Sequence, residues 1–399
     1  MHNRTILHAD ANGFFASVEC AINPELKNVP MAVGGDAEKR HGIILAKNEL
    51  AKKYNIQTAE TIHSAKRKCP DLVIVPPHHT LYREYSKRIF EIYTRYTELV
   101  ESFGLDEAWL DVTHSKKLFG DGVTIANELR QVVKKETGIT ISVGVSFCKV
   151  FAKLGSDYKK PDATTVFDKN NWKSFIFPMP VSSLLYVGKS TNDTLDKLGI
   201  KTIGQLAATD HSFLINKLGK MGDMLYLYAN GLDNSSVKSI YDNNEVKSVG
   251  NSSTFAKDIC GEEEIRHKLA SLAESVAKRL RNKNLKCTTV QVQIKTPQFK
   301  TIQRQRKLEK PTYLARELRD ISLDIIKECW SMNAPIRLLG VTGSNLVNAD
   351  DDAEQISLFD EPQDKRKKTE DLEKTIDQLK KRFGENSVIS LSEIKKSLS

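Results

Sequence analysis

The sequence predicts an α+β, multidomain protein, and three observations carry that prediction. Its 399 residues are enough for roughly two to four domains, each with its own core. Strand-like and helical patterns alternate through the first 150 residues in the order β-α-(insert)-α-β-β-α-β, which is close to a split βαβ, ferredoxin-like plan. An apolar strand-like segment, 103–112, carries Asp106 and Glu107 at its middle, where burying a charge without a partner costs several kcal/mol.

The first strand is read over 5–10, and Phe14, Val18 and Ile22 then fall at helical spacing. Asp10 therefore stands at a strand end facing a helix start, with Asn12 expected as the helix cap, which leaves Asp10 free. Residues 25–79 form an inserted subdomain, with short strands at 30–35 and 42–46 and helices around 48–54 and 62–68. Its lysines and arginine (Lys47, Lys52, Lys53, Lys66, Arg67, Lys68) give it a basic surface suited to solvent or to a phosphate. A long amphipathic helix from residue 80 precedes the acidic strand pair at 101–112. A helix at about 123–135 and a strand at 141–147 complete the plan.

With the helices on one face of a mainly antiparallel sheet, Asp10 can lie beside Asp106 and Glu107. Period two sends adjacent Asp106 and Glu107 to opposite faces, so both reach one site only if the backbone bends, and Gly104 permits the bend. The carboxylates call for a cation. Mg²⁺ shared with substrate phosphates is one candidate and a structural ion pair the other. Lys160 leaves from the same sheet, and an acid cluster beside a lysine suits a metal-bound triphosphate.

From 170 to 236 the pattern is helical, with two glycine turns at Gly188 and Gly199. Gly188-Lys189-Ser190 is not a phosphate-binding loop, because Ser183 stands where the first glycine is required and no strand precedes it. Helices joined by a glycine turn can instead offer backbone N–H groups of Gly188 and Lys189 to a DNA phosphate. Between 236 and 345 about twenty Lys and Arg stand against about twelve Asp and Glu. Two helices there, through 265–280 and 314–329, flank alternating strands whose Gln, Arg304, Arg306 and Lys307 form a face expected to track duplex backbone. Beyond Asn348 the chain is acidic. Gln355, Ile356, Ser357, Leu358 and Phe359 then read as a docking peptide, and Leu372, Ile376, Leu379 and Phe383 as one face of a short helix.

The formal charge of +9 and pI of about 9.0 favour a polyanionic partner, nucleic acid ahead of membrane. No apolar run approaches the ~20 residues that span a bilayer and no signal h-region opens the chain, so a cytoplasmic protein with no membrane partner is expected. Six cysteines lie far apart without zinc-ligand spacing and are expected to be free thiols.

Two segments resemble the motifs of Y-family translesion DNA polymerases of the DNA polymerase IV type. They are Asp10-Ala11-Asn12-Gly13-Phe14-Phe15-Ala16-Ser17-Val18-Glu19 and Leu105-Asp106-Glu107-Ala108-Trp109-Leu110-Asp111-Val112. The likeness runs on through Val143-Gly144-Val145-Ser146, Lys160-Pro161, Lys247-Ser248-Val249-Gly250, Thr254-Phe255 and 355–359. It implies a right-hand polymerase with a ferredoxin-like palm (1–24 and 80–168), small fingers (25–79), a helical helix-hairpin-helix thumb (169–236) and an α/β little finger (245–346). A linker with a clamp-binding peptide and a charged tail (347–399) follows.

By the same resemblance, Asp10, Asp106, Glu107 and the main-chain oxygen of Ala11 would hold two Mg²⁺ ions. Phe15, beside Phe14, would be the steric gate against a ribose 2′-OH, and Lys160 and Lys52 would contact the triphosphate. Primed template DNA, dNTP and a sliding clamp held through Gln355, Ile356, Leu358 and Phe359 are the implied partners of a monomer associated with the bacterial nucleoid. The implied activity is low-fidelity, distributive synthesis past damaged bases.

Two departures stand out. Asn48-Glu49-Leu50-Ala51-Lys52 replaces a frequent Asn-Tyr-x-Ala-Arg, so the arginine fork is lost and Glu49 would repel a phosphate. Asn12 replaces a frequent aspartate. The competing readings are another two-metal palm enzyme, such as a nucleotidyl cyclase, and a DNA-binding clamp adaptor with an inactive palm.

Overall fold

In the computed structural model, the described residues are 4–36, 42–242, 245–350, 363–384, 387 and 388. The chain divides into two compact units, the break falling at 243/244. The first opens with β1 (Ile6–Ala11) and α1 (Phe14–Ile22). The insert follows as β2 (Met31–Gly34), β3 (Ile44–Lys47), α2 (Glu49–Lys52), α3 (Ile62–Lys68) and β4 (Val73–Val75). Then come α4 (His79–Tyr93), β5 (Val100–Ser102), β6 (Glu107–Asp111), α5 (Lys116–Phe119), α6 (Gly122–Thr137), β7 (Ile141–Ser146), α7 (Lys149–Tyr158) and β8 (Thr164–Phe167).

These strands make a five-stranded sheet of order β5-β6-β1-β7-β8, antiparallel except where β8 runs parallel to β7. The first four are in ferredoxin-like order, as the sequence predicts; the edge strand β8 adds to it. Period two sorts β1 cleanly. Leu7, Ala9 and Ala11 face α4 and α6 in one core, while Ile6, together with Trp109 of β6 and Ala152 of α7, packs on the other side. The expectation of helices on one face is therefore corrected: α7 covers the opposite face. Gly144 of β7 makes this close approach possible, since a Cβ there would lie 1.9 Å from the Ala152 carbonyl oxygen.

The insert is a separate three-stranded sheet, β3-β2-β4, with β2 antiparallel to β3 and parallel to β4. Helices α8 (Trp172–Ile176), α9 (Lys189–Lys197), α10 (Ile203–Ala208), α11 (His211–Leu218) and α12 (Lys220–Ala229) follow around a core shared with α7. Gly199, in left-handed conformation at φ 76°, makes the α9 to α10 turn, and a Thr202–Gln205 capping box starts α10.

The second unit repeats the βαββαβ plan with β9 (Ser248–Ile259), α13 (Glu262–Arg281), β10 (Leu285–Lys295), β11 (Thr301–Thr312), α14 (Ala315–Cys329) and β12 (Ile336–Asn348). Its antiparallel sheet, β11-β10-β12-β9, packs Val290, Val292 and Ile294 against both helices. A last helix, α15 (Gln363–Phe383), docks on this unit. The proposed docking residues Gln355, Ile356, Leu358 and Phe359 lie outside the described residues. No helix among the described residues is long and apolar enough to cross a membrane.

Candidate active site

Asp10 pairs with Glu107 across β1 and β6, and His8 with Trp109, so all four side chains share the face that α7 covers. Residues 103–106 form the bend that the sequence requires, with Gly104 at φ 106° and β6 beginning only at Glu107. Asp106, held at the strand mouth by an Ala11 N–H donating to its carbonyl at 3.0 Å, thus joins Asp10 and Glu107 in one cleft. That cleft is a cavity of about 500 Å³ also lined by Ala11, Phe14, Phe15, Lys47, Glu49, Lys52 and Lys160. Every residue expected at the carboxylates, the aromatic pair and the triphosphate contacts is therefore brought together.

Two lysines meet the carboxylates. Lys160 Nζ is 2.7 Å from Asp10 Oδ2 and 2.7 Å from Asp157 Oδ1. Lys153 Nζ is 2.5 Å from Glu107 Oε2, 3.5 Å from Asp10 and 3.4 Å from Asp157. Sequence reasoning passed over Lys153 and Asp157. Their signal was the i, i+4, i+7 spacing of 153, 157 and 160, which puts all three on one side of α7 and its exit. His8 was missed as well. It is fully buried, hydrogen-bonded through Nδ1 to Ser156 Oγ at 2.8 Å, and set edge-on to Trp109. Its Nε2 lies 3.3 Å from Glu107 Oε2, without hydrogen-bond geometry.

The electrostatics separate the three carboxylates. Burial, then the charges of Asp10 and Glu107, push Asp106 up to about 6. Burial also raises Asp10, against the pull of Lys160. For Glu107 burial acts upward too, but the neighbouring His8 imidazole and Lys153 ammonium outweigh it and hold the group down at about 2. Burial keeps His8 itself neutral. Lys153 and Lys160 are both raised, the surrounding carboxylates overcoming burial.

Family resemblance implies a divalent metal here, and the donor set fits one. The cleft offers hard carboxylate oxygens under mutual repulsion, and the fully buried Tyr93 hydroxyl, without a hydrogen-bond partner, feels both Asp10 and Asp106. Among the described residues no three His, Cys, Asp or Glu side chains converge closely enough to ligate a metal unaided.

Other expected residues fall as follows. Phe15 stacks on Tyr82 at 4.2 Å and 13°, with Phe14 buried behind it. Lys52 is half-exposed and 3.7 Å from Glu49, which shares its charge. Asp111, at the far end of β6, accepts from the Thr113 N–H at 3.0 Å and from the Thr113 hydroxyl.

Asn12 does not cap α1, whose N-cap is Gly13, at φ 55° and with no side-chain cap. Asn12 instead donates to Thr140 Oγ1 at 3.1 Å and accepts from Ser142 Oγ at 2.9 Å, bracing β7 against β1. Both partners lie across the sheet, which commits the Asn12 side chain there and leaves Gly13 at the N-cap.

Gly188 and Lys189 are exposed at the uncapped start of α9, as a phosphate site requires. The expected single face of Arg304, Arg306 and Lys307 is corrected by the register. Arg304 opposes core-facing Val292 and Arg306 opposes Val290, so both point to the helix side, where Arg306 pairs with Glu328 of α14 at 2.6 Å. Lys307, opposite Thr289, shares the other face with the Gln pairs 291/305 and 293/303.

A site of this build on this pair of units defines a class. Residues 9–157 match the impB/mucB/samB family and 246–358 match its C-terminal domain. The DNA polymerase IV of Acetivibrio thermocellus is 49% identical over 96% of both chains. That of Clostridium acetobutylicum is 37% identical over 97% of both, and that of Clostridium kluyveri 37% identical over the full length of both. Among solved structures, a chimeric Y-family DNA polymerase superposes with a TM-score of 0.77 at 22% identity, covering 86% of this chain and 99% of its own. The chain belongs to this family, and within it to the DNA polymerase IV type of Y-family polymerase.

Proposed function

We infer that the chain is a DNA-directed DNA polymerase that extends a primer past damaged template bases, transferring a nucleotidyl group from dNTP to the 3′-OH. The observation that carries this is the meeting of Asp10, Asp106, Glu107 and Lys160 in one cleft, roofed by Lys47 and Lys52 of the insert. The insert is the fingers (25–79), the five-stranded sheet and its helices the palm (1–24 and 80–168), helices 169–236 the thumb, and 245–346 the little finger.

Asp10, Asp106, Glu107 and the Ala11 carbonyl are the groups that would hold the metal, read as two Mg²⁺ ions. When bound, the metal supplies positive charge that lowers the pKa of the primer hydroxyl and stabilises the leaving pyrophosphate. The protein's own part is positioning. Lys160, tied at rest to Asp10 and Asp157, has its charge at the cleft wall for a triphosphate oxygen. The Lys153 ammonium, 2.5 Å away, holds the Glu107 carboxylate ionised against its burial. Phe15, braced from behind by Tyr82, is the wall that a ribose 2′-OH would strike.

Gly188, Lys189 and Lys307 contact DNA backbone in this reading, with Arg304 and Arg306 at the margin of that surface. The protein works as a monomer in the bacterial cytoplasm, at the nucleoid, and engages a sliding clamp through Gln355, Ile356, Leu358 and Phe359.

Primer extension tests this reading. With dNTPs and Mg²⁺ the native protein extends a primed template, Asp106→Ala does not, and Phe15→Ala accepts ribonucleotides. Extension by Asp106→Ala at the native rate would overturn the assignment.

A further inference from the structure

The chain leaves α7 at Tyr158 and enters β8 at Thr164. Lys160 rides on this short connection, yet its ammonium sits at the cleft with both of its carboxylate partners at 2.7 Å. A lysine has four rotatable bonds, so its aim depends on how firmly the backbone beneath it is fixed.

That backbone is gripped two residues on, at Asp162, from a helix that does not line the cleft. Asp162 has φ 49°, a left-handed conformation that costs a non-glycine residue about 1 kcal/mol and persists only where neighbours over-determine it. Arg130 of α6 provides that. Its Nε donates to Asp162 Oδ1 at 3.1 Å, its Nη2 to the same oxygen at 2.9 Å, and Nη2 also to the Asp162 backbone carbonyl. One turn further along α6, Lys134 Nζ reaches Asp162 Oδ2 at 3.1 Å. One turn before, Asn127 Oδ1 accepts from Thr164 Oγ1 at 2.8 Å. Residues 127, 130 and 134 lie on one side of α6, so the helix holds the connection by side chain and backbone together.

We propose that Arg130 is a positioning residue for the incoming nucleotide: by clamping Asp162 it fixes the Lys160 backbone so that the ammonium meets the triphosphate. The inference rests on the reading of Lys160 as a triphosphate contact. The planar fork matters here because it grips a side-chain oxygen and a main-chain oxygen at once, which a lysine ammonium cannot do with the same geometry.

Single-nucleotide incorporation on a primed template tests it. Arg130→Ala is expected to raise the KM for dNTP about tenfold, the equivalent of one charge-assisted hydrogen bond, with kcat and the affinity for primed DNA little changed. Arg130→Lys should restore only part of that loss. In a Lys160→Ala background, Arg130→Ala should add nothing, an outcome that a general loss of folding would not give. Asp162→Asn, which keeps the side-chain shape, should raise KM in the same direction and decides the matter if Arg130→Ala does not fold. An unchanged KM in Arg130→Ala, or an equal loss with and without Lys160, overturns the proposal. If Lys160→Ala itself leaves KM unchanged, the Lys160 reading falls and this inference with it.

Discussion

Asp106 and Glu107 are chemically near-equal neighbours that the fold drives apart. Glu107 faces α7, where His8 and Lys153 outweigh its burial and hold it at about 2; Asp106, buried in the bend beside the charges of Asp10 and Glu107 and only weakly offset by Lys160, is pushed up to about 6. The signs differ accordingly. A carboxyl raised in the folded state binds its proton before the unfolded chain does, so the cost of the Asp106 charge is fully present above pH 6 and fades between about 6 and 4. Glu107 contributes stability above its ordinary 4.5, lost as the pH falls towards 2. A pH profile of kcat/KM at limiting Mg²⁺ should therefore show an acid limb near pH 6, where Asp106 takes up a proton. Activity that stays flat down to pH 5 would contradict the assignment. The sequence shows both acids as misfits in an apolar strand, but not which is which, because adjacency in the chain does not say what lies across the sheet.

At the scale of an element, α15 is unusual in docking by its charged side. Arg281, 4% exposed, pairs with Glu373 and, at 2.6 Å, with Asp377. Lys286 meets Glu370 at 3.3 Å, and Arg366 donates to the Pro311 carbonyl at 2.6 Å. Glu373 also accepts from the Ala315 N–H at 3.2 Å, serving as the cap that Leu314 cannot supply to α14. The apolar residues that made this helix legible in the sequence lie to the side, with Leu372 and Phe383 well exposed. Spacing announced a helix; it could not tell that the carboxylates would face the protein, since Arg281 lies 92 and 96 residues from the two acids it pairs with. Glu373→Ala should destabilise the second unit by about 2 kcal/mol, through a buried guanidinium left with Asp377 as its one carboxylate partner and an uncapped helix. Replacing Arg281 by Met in that background should recover part of the loss in thermal unfolding. A melting curve unmoved by Glu373→Ala would show that the helix contributes nothing.

Across the whole molecule, one plan is used twice: each unit carries a βαββαβ sheet, the first elaborated by the insert, the helices 169–236 and β8, the second by the docked helix α15. The first builds a cleft of acids and lysines, whereas the second offers a Gln and Lys strand face suited to following a backbone without reading bases. In the proposed reading, processivity comes from a sliding clamp. Alanine at both Leu358 and Phe359 should weaken retention on an immobilised sliding clamp about tenfold or more while leaving clamp-free extension intact; undiminished retention would remove the peptide from that role. The sequence by itself determined the β-α-(insert)-α-β-β-α-β order of the first sheet, the acids at the first strand's end and in the Gly104 bend, Lys160 after the last of those strands and the basic bias of the second half, since these follow from period, turn chemistry and local charge. Tertiary structure alone decided that α7 covers the other sheet face and brings Lys153 to Glu107, that Asn12 braces a strand, that register turns Arg304 and Arg306 from the Gln face, and that Arg130 holds the lysine loop. Each of those depends on which side chains meet across tens of residues, and a linear pattern contains no distances.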